Sequence, residues 1–402
     1  MSIFRQKVSE LASPLLIIFA FGLPLSTSAG SILAILLILC WFIIGGQKEK
    51  IAEIFHNPVT IAVLVYVLLH IIGLLWTDDL AWGLEILRKQ WKLLLFPIFL
   101  GIARKEHSNY YMAAFTAAIF LKASKAYMVW LGIITLPPSS IFTTVGTSHV
   151  SYNPMLALVC YIILQKLLFG NGSKTIHKWL LATLLLFFSF NMFITAGRTG
   201  QITFFILLGV ALFQYFYNVS KVKLITGLIL LPVLVFGIYQ SSPTFKNRAD
   251  TAIAEIKNHK LCEITSVGLR LWFTKNTLLL IKDNLLTGVG TGDYPTEYSK
   301  INKRESPKLP DTVNPHNQYL LSTSLFGLLG FFSLIAIFIS QLIMAFTKKD
   351  NLTPMRQAFP VFFLVIMLGE SYLLSHGTGM LFSLFSAFLY KKFPEQGEEQ
   401  RV

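Results

Sequence analysis

Residues 318–346 read QYLLSTSLFGLLGFFSLIAIFISQLIMAF, 29 positions without a single Asp, Glu, Lys or Arg. A helix needs about 20 predominantly apolar residues to cross the hydrocarbon core of a bilayer, so this stretch predicts a membrane span. Eleven further segments come close to that requirement: 11–27, 32–46, 59–76, 91–103, 111–135, 150–168, 179–194, 202–217, 224–239, 358–373 and 377–390. Composition agrees. Of 402 residues, 54% are apolar and 13% charged, at a mean hydropathy of +0.62, whereas a soluble domain is about a quarter charged. The expected fold is an all-α integral membrane protein of about 12 transmembrane helices. Arg5 and Lys7 before the first segment, and small residues after it, give it some look of a signal peptide. It pairs with the second segment as a hairpin, so an uncleaved helix is expected.

The formal net charge is +14, from 34 Lys+Arg against 20 Asp+Glu. In a soluble chain that surplus suggests nucleic acid or another polyanion. In a membrane chain, basic residues mark cytoplasmic connections instead. Arg5 and Lys7, Lys48 and Lys50, Arg104 and Lys105, Lys174 and Lys178, Lys221 and Lys223, Lys348 and Lys349, and Lys391 and Lys392 fall at the N-terminus, every second connection and the C-terminus. Both termini are therefore expected in the cytoplasm, and no nucleic-acid partner is expected. Cys40, Cys160 and Cys262 give neither a disulfide framework nor a metal-ligand spacing.

The connections on the other face are short except for residues 241–315, with 11 basic and 8 acidic residues. The organisation expected is nine membrane helices in 1–240, an extracytoplasmic loop in 241–315, and three membrane helices with a cytoplasmic tail in 316–402, all one structural unit. Within the loop, Phe245, Ala249, Ala252, Ile253 and Ile256 recur at helical spacing, as do Leu269, Trp272, Phe273, Leu280 and Ile281. Two amphipathic helices are expected. Gly288 to Asp293 ends the second as a tight turn, and Pro295, Pro307, Pro310 and Pro315 keep the remainder irregular.

Three features converge on the extracytoplasmic face. Arg198 stands in Thr195-Ala196-Gly197-Arg198-Thr199-Gly200-Gln201, a short turn between two apolar helices. Alone it reads equally as an interfacial arginine reaching lipid headgroups. Arg270 interrupts an apolar helical rhythm, which an ordinary solvated face also explains. His316 follows Pro315 where the loop re-enters the membrane, and a neutral imidazole is well poised to accept a hydroxyl proton near pH 7.

Arg198 in its turn, Arg270 in a long extracytoplasmic loop, and His316-Asn317 followed after nine residues by Gly327-Leu328-Leu329-Gly330 together resemble the bacterial O-antigen ligases. The wider superfamily includes O-antigen polymerases and protein O-oligosaccharyltransferases. The resemblance implies a glycosyltransferase of lipopolysaccharide biosynthesis in the bacterial inner membrane, with its active site facing the periplasm. The donor implied is a glycan on undecaprenyl diphosphate, the acceptor a sugar hydroxyl of lipid A core, and membrane lipid surrounds both. Guanidinium groups hold phosphate oxygens bidentately, which makes Arg198 and Arg270 the candidates for diphosphate binding and leaving-group stabilisation. His316 is the candidate general base of a single inverting displacement, and no metal or cofactor is expected.

Weaker candidates surround these. Lys122 and Lys125 fall inside the fifth segment, three residues apart, and read either as lining a polar route or as interfacial lysines. Arg88, Lys89 and Lys92 stand at the outer start of the fourth segment and either attract an anionic headgroup or anchor the helix. Asn317 belongs to the motif. Glu370, flanking the last outer turn with His376, is expected to orient an arginine. Asp78-Asp79 reads as a cation pair or, more simply, as the cap of a helix beginning near Leu80. Beyond enzymes, twelve spans with both ends inside is also a transporter layout, which predicts two-fold repetition and polar midplane residues.

Overall fold

The computed structural model describes residues 3–135, 148–170, 174–257, 265–347 and 349–393, and every regular element among them is a helix. Cys262 and Lys348 lie outside the described residues. The first half contains α1 (Ile3–Leu25), α2 (Thr27–Ile44), α3 (Gln47–His56), α4 (Pro58–Ile72), α5 (Leu80–Lys89), α6 (Trp91–Ile102), α7 (Ser108–Trp130) and α8 (His149–Phe169). Next come α9 (Thr175–Ile194), α10 (Arg198–Phe216), α11 (Lys221–Ser241), α12 (Pro243–Lys257), α13 (Ser266–Asp283) and α14 (Tyr294–Glu305). The chain closes with α15 (Gln318–Thr347), α16 (Thr353–Ile366) and α17 (His376–Leu389).

Each of the twelve apolar segments forms a helix, and nine of these are long and apolar enough to cross a membrane among the described residues. The other three are shorter: 12 residues in α6 and 14 each in α16 and α17. At about 1.5 Å per residue these fall well short of a hydrocarbon core of about 30 Å. They are tolerated because protein surrounds them and side chains close their ends. Every residue from Thr378 to Leu389 is buried. Lys391 Nζ bonds the Leu100 carbonyl (2.7 Å) near the end of α6, and Arg356 Nε bonds that of Leu389 (2.6 Å) at the end of α17. α11 is the opposite case: Leu224 alone is buried, while Val222, Ile229, Val233 and Phe236 are exposed. Such a surface suits lipid and would be anomalous in water.

The 241–315 insertion holds three helices, not two. Pro295 does not keep its surroundings irregular; it occupies the first turn of α14, where its missing N–H is an unpaired position anyway. Tyr294, Tyr298 and Ile301 of α14 pack with Phe273 and Leu280 of α13 against Leu321, Leu325 and Phe326 of α15.

The glycine run does more than turn. α15 leaves helical geometry at Phe326 and Gly327 (φ +61°), which frees carbonyls in the preceding turn. Val289 N–H and Gly290 N–H bond the Ser324 and Leu325 carbonyls at 2.9 Å each, and Leu328 N–H bonds Leu285 O at 2.9 Å. A Cβ on Gly288 (φ +66°) would stand 2.3 Å from the Leu325 carbonyl, and one on Gly327 2.4 Å from Leu285 O. Only glycine permits both the positive φ and this approach. Farther along, Asp293 accepts the Asp78 and Asp79 backbone N–H groups at 2.9 and 2.8 Å. The loop is thereby locked onto both α15 and the end of α4.

Candidate active site

The Arg198 turn is held from below. Tyr152 OH donates to Asn191 Oδ1 (2.7 Å), Asn153 Nδ2 to Thr195 Oγ1 (3.1 Å), and Gln201 Nε2 to the carbonyls of Met192 and Thr195 (3.2 and 3.3 Å). Gly197 and Gly200 let the turn lie directly on Asn153, where an added Cβ would come within 2.5 and 2.4 Å. Arg198 is thus the first residue of α10, projecting from a fixed backbone. Two helices of the insertion approach it. Ser242 Oγ bonds Phe193 O (2.9 Å) at the start of α12, and Glu255 Oε2 accepts Val267 N–H (3.2 Å) to join α12 to α13.

Arg198, Arg248 of α12 and Arg270 of α13 line one narrow pocket of about 60 Å³ together with His149, the first residue of α8. Among the described residues no carboxylate lines it. Neither Arg198 nor Arg270 makes a hydrogen bond or ion pair among the described residues. Burial lowers the Arg248 pKa, and the nearby Glu255 charge opposes that shift. Because α8 and α10 both begin here, two helix N-termini add partial positive charge. Arg248 and His149 were not singled out from the sequence: Arg248 lies between Asn247 and Ala249 in a polar stretch that reads as a solvated face.

His316 adjoins this pocket through α13 and through the turn between α16 and α17. Its ring stacks on Phe273, centroids 5.9 Å apart, one helical turn beyond Arg270. Its backbone takes φ +54°, the one positive value among described non-glycine residues. Asn314 Oδ1 holds the His316 N–H (3.0 Å), while Asn314 Nδ2 bonds Glu370 Oε1 (3.1 Å). His316 Nδ1 lies 2.7 Å from Glu370 Oε2. Burial works to raise the Glu370 carboxyl, but the His316 ring, the Ser371 N–H and the Arg270 charge together hold it below the usual carboxylate value. The same turn meets the pocket: a Cβ on Gly369 would reach Thr199 Oγ1 at 2.6 Å, and Tyr372 OH bonds Val150 O (2.8 Å). Glu370 therefore pairs with His316, where an arginine partner was expected, because the turn brings it to the imidazole first.

The remaining candidates separate. Asn317 caps α15, its Oδ1 accepting the Tyr319 and Leu320 N–H groups (2.9 and 3.1 Å). Arg88 makes a two-pronged pair with Glu85 (2.8 Å each), and Lys89 lies 3.5 Å from the same carboxylate. Arg88 lines a different pocket. Lys122 is buried and lines a third, while Lys125 on the next turn is exposed. Lys92 Nζ bonds Leu374 O at 2.5 Å. Asp79 caps α5 through Trp82 N–H (2.9 Å). Among the described residues no group of three His, Cys, Asp or Glu side chains gathers as a metal site would require.

The helical bundle gathers cationic side chains beside a histidine–carboxylate pair, and the comparisons say what this region resembles. Residues 182–335, running from α9 to the middle of α15 and containing Arg198, Arg248, Arg270 and His316, match the family described as O-antigen ligase. The match covers well under half of the chain, and through this segment the chain is similar to the O-antigen ligase family, within the O-antigen ligase and polymerase superfamily. A Haemophilus influenzae protein described as uncharacterized is 31% identical over 166 residues, 39% of this chain and 41% of the relative. The match thus spans well under half of that relative's length.

Proposed function

We propose that the protein is an O-antigen ligase, transferring a polysaccharide from undecaprenyl diphosphate to a sugar hydroxyl of lipid A core without a metal ion. One observation carries the reading: three arginines and two helix N-termini converge on a pocket that no carboxylate lines among the described residues, beside a histidine bonded to a carboxylate. Such a pocket suits a diphosphate, and the pair suits activation of a hydroxyl. Arg198, Arg270 and Arg248 hold the diphosphate, whose charge grows as the glycosidic bond breaks.

Glu370, kept ionised, accepts a hydrogen bond from His316 Nδ1–H, which leaves the Nε2 lone pair for the acceptor. The acceptor oxygen bonds the anomeric carbon as its proton passes to Nε2, and the bond electrons of the departing C–O leave with the diphosphate. A single displacement inverts the anomeric centre. Glu370 is a positioning residue here, as the third member of a hydrolase triad is. The basic connections support a reading with both termini in the cytoplasm of an inner-membrane protein and the site on the periplasmic side.

The test combines purified protein, lipid-linked glycan and lipid A core in detergent. Glycan appearing on the core, and lost with His316→Ala in a protein that still melts cooperatively, is the expected result. Full activity in His316→Ala removes the base. Transfer to a second lipid-linked glycan in place of the core makes the protein a polymerase.

A further inference from the structure

Two further pockets lie at the His316 end of the bundle, and they share one wall, His376. The first, about 780 Å³, is lined by apolar residues of α4, α5 and α6, by Trp91, Arg88 and Gln90, and by His376. The second, about 510 Å³, is lined by Lys122 of α7, by Ser148, Ser151 and Tyr152 at the start of α8, and by Ser375 and His376. The start of α8 also supplies His149 to the arginine pocket. The amphiphilic groove and the hydroxyl-lined chamber therefore share His376, and the chamber shares the start of α8 with the arginine pocket.

Gln90 is the telling residue. Its side chain is 1% exposed, it lines the first pocket, and neither its amide nitrogen nor its oxygen finds a partner among the described residues. A buried amide with both ends unmet destabilises the fold by itself, so its presence is explained by something that enters. An amide offers two donors and an acceptor, which fits sugar hydroxyls or acyl-amide groups. The leucine and isoleucine wall beside it fits hydrocarbon chains, and Arg88 at the rim, whose Nη1 takes no part in its pair with Glu85, fits a phosphate.

We propose that the two pockets form one acceptor channel for a phosphorylated, acylated glycolipid. The Gln90 groove takes the acylated sugar-phosphate end and the serine-lined chamber takes the saccharide that carries the reacting hydroxyl. The inference rests on the ligase reading, since it supplies that reading's acceptor site. The turn at residues 367–375 links the two functions physically: Glu370 within it bonds His316, and His376, the next residue after it, divides the pockets.

Binding of lipid A core to the full-length protein in nanodiscs, with no donor added, tests it. Gln90→Leu is expected to weaken binding of lipid A core about tenfold, to leave undecaprenyl diphosphate binding unchanged, and to melt no lower than wild type. A purely structural glutamine would instead lower the melting temperature and spare binding. Ser151→Leu, which fills the chamber, is expected to weaken lipid A core but not lipid A stripped of core sugars. Unchanged lipid A core affinity in Gln90→Leu overturns the proposal, and so does an equal loss for phosphatidylglycerol, which marks an ordinary lipid contact. Gln90-dependent binding of lipid A core by a protein that transfers nothing to it refutes the ligase reading alone. Transfer that proceeds while binding ignores Gln90 refutes the channel alone.

Discussion

The two ends of the helical bundle use the same residue types in opposite ways. At the end carrying Lys391, cations close helix C-termini. Lys50 bonds Trp41 O (2.7 Å) in the last turn of α2, Lys391 bonds Leu100 O beside Glu53, and buried Arg356 bonds Leu389 O and Asp350 Oδ2 (2.5 Å). There the charge meets carbonyls, carboxylates and the negative end of the helix dipole. At the other end Arg198 begins a helix, where the dipole repels it, and makes no hydrogen bond or ion pair among the described residues. The cations at the Lys391 end are satisfied by their own protein. Arg198, placed against the dipole and left with open bonding capacity, is the one we propose holds a ligand.

Several substitutions put this contrast at risk, and Glu370→Gln has the largest expected effect. A glutamine can donate to His316 Nδ1 and so turn the imidazole into the wrong tautomer. Turnover should fall on the order of 1,000-fold, the pH profile should change, and KM for the donor should stay. A loss confined to protein yield, with normal turnover and pH profile, would make the pair structural. Next, Arg356→Ala should cost about 3 kcal/mol of stability by leaving Asp350 without its partner, read as a lower melting temperature, with turnover per folded molecule unchanged. Reduced turnover there would blur the distinction between the ends.

Replacing Arg198 by Lys should reduce turnover about 100-fold with melting temperature preserved, because no intramolecular bond is lost. A collapse in stability would show that the turn relies on it. The smallest effect concerns acid. Glu370 has its carboxyl below 4.5 in the fold. Its contribution is complete above that value and is lost as pH falls through the folded one. Wild-type melting temperature should therefore drop more steeply than that of Glu370→Gln below pH 4.5, and parallel curves would contradict the direction of the shift.

Apolar runs made the helices readable, and all twelve exist. Length of run did not tell a full span from a buried short helix. The apolar run that extends beyond Ile366 leaves the helix so that Gly369 can meet Thr199, a demand set by a residue far away in sequence. Arg198, Arg270 and His316 were legible because short motifs surround them. Arg248, His149 and Asn314 were not, since only tertiary packing brings α8, α12 and the turn before α15 to one place. Pro295 misled because proline both ends and begins helices, and context decides which. The glycines at 288 and 327 were visible as a pattern, but their purpose, sealing a broken membrane helix with loop N–H groups, is a contact between two segments.

The central claim is that the arginine pocket binds a lipid diphosphate. It is tested most directly by titrating full-length protein in detergent with undecaprenyl diphosphate, comparing wild type with the double variant Arg198→Lys, Arg270→Lys. The account predicts salt-sensitive binding by wild type and a loss of about 100-fold or more in the double variant, with both proteins melting at the same temperature. Equal affinity in the two proteins would contradict it.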